Sequence, residues 1–120
     1  MTLHSDVNCT MDGLGATGTF NNNSCSVNVG GSSPNSAGCS FQDTRTASFG
    51  TAFNQNDGGV FAVEWTSTAI KIWFLPRNPA SPKLANALSL APQPSLWGDP
   101  SASFQGPCNI QGLFRDQKLV

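Results

Sequence analysis

The sequence contains no tyrosine, one histidine (His4) and one glutamate (Glu64). Charge is scarce: 11% of 120 residues, with 6 Lys and Arg against 7 Asp and Glu, for a net charge of -1. That balance gives neither the basic footprint of a nucleic-acid binder nor the polybasic surface of a protein held to a membrane by charge. No apolar run approaches the roughly 20 residues of a spanning helix. The opening stretch, Met1 to Asp6, has no basic region and no apolar segment of signal-peptide kind. No C-x-x-C pair occurs among Cys9, Cys25, Cys39 and Cys108, and a single histidine leaves no Cys/His ligand set, so no metal site is expected. No G-x-S-x-G elbow is present. Gly30-Gly31 and Gly58-Gly59 are not followed by the Lys-Ser/Thr of a phosphate loop, and Asn56-Asp57-Gly58 lacks the closing glutamate of a calcium loop. No cofactor is implied.

What is present argues for a folded domain that turns often. Eight Phe and three Trp are too much large apolar surface for a disordered segment. Twelve Gly and eight Pro punctuate the chain. Four cysteines in so short and polar a chain indicate disulfides and an oxidising compartment, with three pairings open. Asn8-Cys9-Thr10 and Asn22-Asn23-Ser24 are acceptor patterns for N-glycosylation.

The strand signals are concentrated in the middle. Val60 to Trp65 alternates, with Phe61, Val63 and Trp65 on one face, and Ile70 to Leu75 alternates with Ile70, Ile72 and Phe74 on one face. With Thr66-Ser67-Thr68-Ala69 between them, these predict an antiparallel hairpin that Pro76 ends. Asn54 to Gly59 is a turn cluster. Val27 and Val29 alternate as in a half-buried strand, Gly30 to Ser36 reads as a loop, and Ala47 to Phe53 reads as extended. Six prolines between Pro76 and Pro100 predict an ordered loop, with room for a helical turn or two over Lys83 to Leu90. Ala102 to Gln105 and Leu113 to Val120 read as short strands. The pattern is an all-β chain with long Gly/Pro-rich loops, a sandwich or jelly roll in preference to a barrel.

A retaining glycosidase needs two carboxyl groups about 5–5.5 Å apart. Nothing here supplies such a pair locally, because no other acid lies within six residues of Glu64. The aromatics are the better candidates. Trp65 shares the face of Phe61 and Val63 and is expected in the core. Trp73 lies opposite Ile70, Ile72 and Phe74, where it could line a groove or pack under a loop. Trp97, followed by Gly98 in the Pro-rich stretch, has the same two readings, and a solvent-facing tryptophan would stack on sugar rings.

The order of segments carries a resemblance. Met1 to Ser5, Asn8-Cys9-Thr10-Met11, Gly38-Cys39, Gly58 to Trp65, Ile72-Trp73-Phe74-Leu75-Pro76-Arg77, Trp97-Gly98-Asp99-Pro100 and Cys108-Asn109-Ile110 follow one another, with Phe114 and Asp116 to Val120 behind them. This resembles the fungal laminarinase-like branch of family-sixteen glycoside hydrolases, secreted endo-β-1,3(4)-glucanases with a β-jelly-roll sandwich. The family's E-x-D-x-x-E motif, nucleophile first and acid/base last, stands on a strand just before the segment matching Thr2-Leu3-His4. Nothing in this chain matches it, so the resemblance implies no catalytic residue here. It places His4 near the acid/base glutamate and gives Glu64 a structural role. It also implies that the family domain continues past Val120. Residues 1–120 are therefore expected to form a single incomplete, concanavalin-like jelly-roll domain, a partial sandwich inactive alone. The expected partner is β-glucan, met by His4, Trp73 and Trp97, with self-association through exposed strand edges and an extracellular location. The alternative is a non-enzymatic β-glucan-binding or defence-related secreted protein.

Overall fold

The computed structural model describes residues 1–5, 8–27, 37–79 and 81–115. Six strands form two antiparallel three-stranded sheets. The first sheet has the order β1-β3-β2, built from β1 (Thr2–Leu3), β2 (Thr19–Asn22) and β3 (Cys39–Gln42). The second has the order β4-β5-β6, built from β4 (Gly59–Trp65), β5 (Ile70–Pro76) and β6 (Ala102–Phe104). Three short helices lie between and after them: α1 (Gly50–Gln55), α2 (Pro82–Ala87) and α3 (Ile110–Leu113).

The central hairpin forms where its alternation predicts. Its register runs from Gly59 opposite Pro76 to Trp65 opposite Ile70. The Thr66 hydroxyl closes the turn, accepting from the backbone N–H of Thr68 (3.3 Å) and of Ala69 (3.0 Å). The turn before β4 uses a positive φ at Asp57 (57°) and Gly58 (77°), a conformation that asparagine, aspartate and glycine tolerate. The expected helical turn after Pro76 is α2, with Pro82 in its first turn and the Ser81 hydroxyl accepting from Leu84 N–H at 3.2 Å.

The sheets meet through Phe41 of β3 and Phe104 of β6, whose rings pack edge-on at 5.1 Å. Around them Met11, Ile70, Ala102, Ile110 and Phe114 are buried with two disulfides, Cys9–Cys108 and Cys25–Cys39. Those bridges select one of the three pairings left open by the sequence. On the outer face of the second sheet a smaller cluster joins Trp73 and Leu75 of β5 to Leu84 of α2 and to Trp97.

Several expectations fail. Phe61, Val63 and Trp65 do lie on the inner face, but they are 46%, 43% and 47% exposed rather than core. The buried cluster between the sheets draws on Ile70, Ala102 and Phe104 of β5 and β6 and on no residue of β4, whose inner face is only half covered, Phe61 packing beside Phe74 at 5.0 Å. Ala47 to Phe53 is not extended: a 3-10 turn at Thr46–Ser48 is followed by α1, which Gly50 (φ 65°) allows to turn in and which docks Phe53 against Phe74. Leu113 ends α3 instead of starting a strand, and Asp116 to Val120 lie outside the described residues. Ala102 to Gln105 is a strand as expected, one residue shorter. Ser26 makes a single parallel bridge to Ser5, while Val29 and Gly30 to Ser36 lie outside the described residues.

Candidate functional site

Strand β5 carries Trp73 outward, and α2 with the 94–97 turn folds over it. Its indole N–H donates to Gly98 O at 2.8 Å, and its ring meets Trp97 edge-on at 5.1 Å. The Trp97 indole N–H donates to Asn86 Oδ1 at 2.8 Å, which ties α2 to the same pair. The two tryptophans are 4% and 5% exposed. Their flat faces are thus largely occupied by protein, and what Trp73 offers outward is the wall of an open pocket of about 450 Å³. Glu64, Lys71, Ser95 and Asp99 share that wall. Glu64 and Lys71 face one another in the strand register, yet no ion pair joins them.

His4 sits elsewhere. It follows β1 on the first sheet, exposed, with Nε2 3.3 Å from Ala37 O and its ring against Gly38. Any side chain at Gly38 would strike that ring and Leu3 O, and Gly38 holds a φ of 69°. The structure therefore brings Trp73 and Trp97 together and leaves His4 apart from both.

A third polar centre was not singled out from the sequence. The Arg45 guanidinium grips Asp43 with Nε at 2.9 Å and Nη2 at 2.6 Å from the two carboxylate oxygens. It also donates through Nη1 to Phe74 O (2.7 Å) and through Nη2 to Ser101 Oγ, and lies 4.9 Å over the Phe74 ring. The group joins the loop after β3 to both β5 and the approach to β6. Burial pushes the Asp43 carboxyl upward, but hydrogen bonds from Arg45 and Ser101 and the charge of Arg45 outweigh it and hold the group below its ordinary value. The spacing Asp43-Thr44-Arg45 was the only sequence signal, and its long-range partners cannot be read from it. Beside it Phe49, 65% exposed, borders a pocket of about 330 Å³ with Gln42, Thr46 and Thr19. Among the described residues no cluster of His, Cys, Asp or Glu has the makings of a metal site.

Two antiparallel sheets packed face to face and tied by two disulfides define an all-β sandwich. The family profile described as "XgeA-like, catalytic GH16 domain" matches residues 1–120, and the chain belongs to that family. It is 41% identical over 121 residues to an endo-1,3(4)-β-glucanase of Arthroderma benhamiae, covering 98% of this chain and 26% of the relative. It is 38% identical over 119 residues to a protein of Aspergillus fumigatus named a probable endo-1,3(4)-β-glucanase, covering 98% and 17%. Among solved structures, Laminarinase 16A from Phanerochaete chrysosporium, with β-glucans in its donor and acceptor sites, superposes with a TM-score of 0.80 at 38% identity, over 95% of this chain and 38% of that one. An elongating GH family 16 β-1,3-glucosyltransferase gives 0.77 at 39% identity, over 95% and 36%. The chain thus spans well under half the length of the relatives it matches. None of its helices is long and apolar enough to cross a membrane, among the described residues.

Proposed function

We propose that residues 1–120 are an incomplete part of a secreted endo-β-1,3(4)-glucanase domain, one that hydrolyses β-glucan with retention when whole and is inactive alone. One observation carries the reading. The family match runs over the whole chain, yet the family's motif needs two glutamates and this sequence has one, Glu64, on the outer face of the second sheet. A retaining displacement needs a nucleophile and an acid/base at a fixed separation, and a scaffold without them can orient a glucan but not cleave it. His4, exposed at the end of β1, is the residue proposed to meet glucan from this scaffold. The disulfides support an oxidising, extracellular setting. Self-association through the free strand edges belongs to the same reading, since a partial sandwich exposes them.

A second reading, a non-enzymatic glucan-binding or defence-related protein, is favoured by the pocket at Trp73. There an indole edge, Lys71, Ser95 and two carboxylates surround about 450 Å³. A titration with a laminarin oligosaccharide, followed by tryptophan fluorescence and amide shifts, separates the two. The first reading predicts weak shifts at β1 that His4→Ala removes. The second predicts shifts around Trp73 that Lys71→Ala weakens about tenfold. No shift at either place contradicts glucan contact by this chain.

A further inference from the structure

We infer that Asn8 is a glycan acceptor and that the Cys9–Cys108 bridge sets its window: the glycan is attached before the bridge closes and cannot be attached after. The inference rests on the secreted reading above and goes beyond it, by ordering two modifications of one segment. The middle residue of the acceptor triplet Asn8-Cys9-Thr10 is itself a bridge cysteine. Attachment bonds Asn8 Nδ2 to the anomeric carbon of a lipid-diphosphate-linked oligosaccharide. The bond from that carbon to the diphosphate oxygen breaks, the lipid diphosphate leaves, and the amide releases one proton. Bridge closure passes two electrons and two protons from the Cys9 and Cys108 thiols to a carrier disulfide, which becomes a dithiol. The two steps share no atom, but they compete for one stretch of backbone. A transferase must hold the Asn8 carboxamide and the Thr10 hydroxyl together, so the backbone between and beyond them has to bend into its site.

In the folded chain that stretch is held from two sides. On one side Cys25 N donates to Cys9 O and Met11 N to Asn23 O, each at 2.9 Å, with Thr10 bridged to Ser24. On the other side Asp12 N donates to Gln105 O at 2.9 Å. Gly106 then lies so close that a Cβ there would stand 3.1 Å from Thr10 O and 3.2 Å from Met11 Cα and Asp12 N. The bridge fixes this second clamp, with Cys9 buried beneath it. The first clamp alone is a short two-stranded contact, marginal in water. Residues 105–108 complete the enclosure, and they are made late. Cys108 follows Cys9 by 99 positions, about 5–20 s of synthesis, whereas Cys39 follows Cys25 by 14, about 1–3 s. The Asn8 triplet thus stays open several times longer than the triplet at Asn22, whose amide is bound to Gly38 O beside Cys39.

Acceptance assays on the purified 120-residue chain test this, with a solubilised oligosaccharide transferase and a lipid-diphosphate-linked oligosaccharide, read by peptide mass mapping at Asn8. The expected result is glycan on Asn8 in the chain kept reduced and in Cys108→Ala, and a rate at least about tenfold lower in the chain with both bridges formed. Cys25→Ala with Cys39→Ala removes the other bridge and should keep the low rate. Equal rates with the bridges formed and reduced overturn the window. A high rate in the Cys25→Ala, Cys39→Ala chain overturns the part given to Cys9–Cys108, by tracing the opening to loosened folding. No glycan on Asn8 in the reduced chain overturns the site. All of these are read on purified chain and do not depend on where the protein travels. Native protein bare at Asn8, beside acceptance in the purified system, contradicts the secreted reading alone.

Discussion

Asp43 and Arg45 show how two of the few charges are spent. Asp43 is 9% exposed at its side chain and Arg45 43%, so the pair joins a sheltered carboxylate to a wet guanidinium. The folded pKa of Asp43 lies below the unfolded value of 3.8. Its stabilisation is therefore complete above 3.8 and is lost as pH falls from there through the lowered folded value. Asp43→Asn should cost about 1 kcal/mol at neutral pH. Denaturant curves taken down through the acid range should show that gap closing below the unfolded value; a gap independent of pH would contradict the assignment. The two glycosylation patterns also part company at this scale. Asn22 donates its amide to Gly38 O at 2.9 Å and accepts from Ser24 N at 3.1 Å, while Asn8 is exposed. Peptide mass mapping of chain made in a secretory host should find glycan on Asn8 and not on Asn22.

Strand β6 carries a hydroxyl with nothing to bond. Ser103 Oγ is buried and unpartnered, opposite Lys71 in the register. Burying such a group costs about 1–3 kcal/mol, so Ser103→Ala should be neutral or stabilising by about 1 kcal/mol, seen as a raised urea midpoint at unchanged slope. At this scale the sequence was legible where alternation, turn chemistry and β-branched or aromatic residues agreed, as in β4, β5 and the Asn54 to Gly59 turn. It was illegible where long-range packing decided. Nothing in Ala47 to Phe53 announces that Phe53 will dock on Phe74 and roll the segment into α1. The alternation grouped Trp65 with Phe61 and Val63, and Ile70 with Ile72 and Phe74, and the register Trp65 opposite Ile70 puts both groups on one face. The alternation could not tell that of these two only Ile70 is buried between the sheets. Trp73 left two readings open because its cover, α2 and Trp97, arrives from residues 82–97.

The whole molecule is elongated, 46 × 31 × 24 Å with a radius of gyration of 15.2 Å, where a compact chain of this length gives about 14 Å. Among the described residues the first sheet packs on β5 and β6, and the inner face of β4 stays half exposed. Disulfides hold such a frame by restricting its unfolded state. Cys9–Cys108 spans 99 positions and Cys25–Cys39 spans 14. Loop-closure entropy assigns about 5 kcal/mol to the first and about 3 kcal/mol to the second. Replacing Cys9 and Cys108 by alanine should therefore lower unfolding free energy by about 2 kcal/mol more than replacing Cys25 and Cys39. Family membership was legible from the order of short segments. The placement of His4 on one sheet and the tryptophan pair on the other was not, because only the topology separates them.

The central claim is a glucanase scaffold without its pair of catalytic carboxylates, and the direct measurement is reducing-sugar release from laminarin by the purified 120-residue chain with both disulfides formed. The account predicts release no greater than the protein-free blank. Turnover that persists in His4→Ala and disappears on replacing one of the aspartates would contradict it, by showing that these residues assemble a catalytic pair of their own.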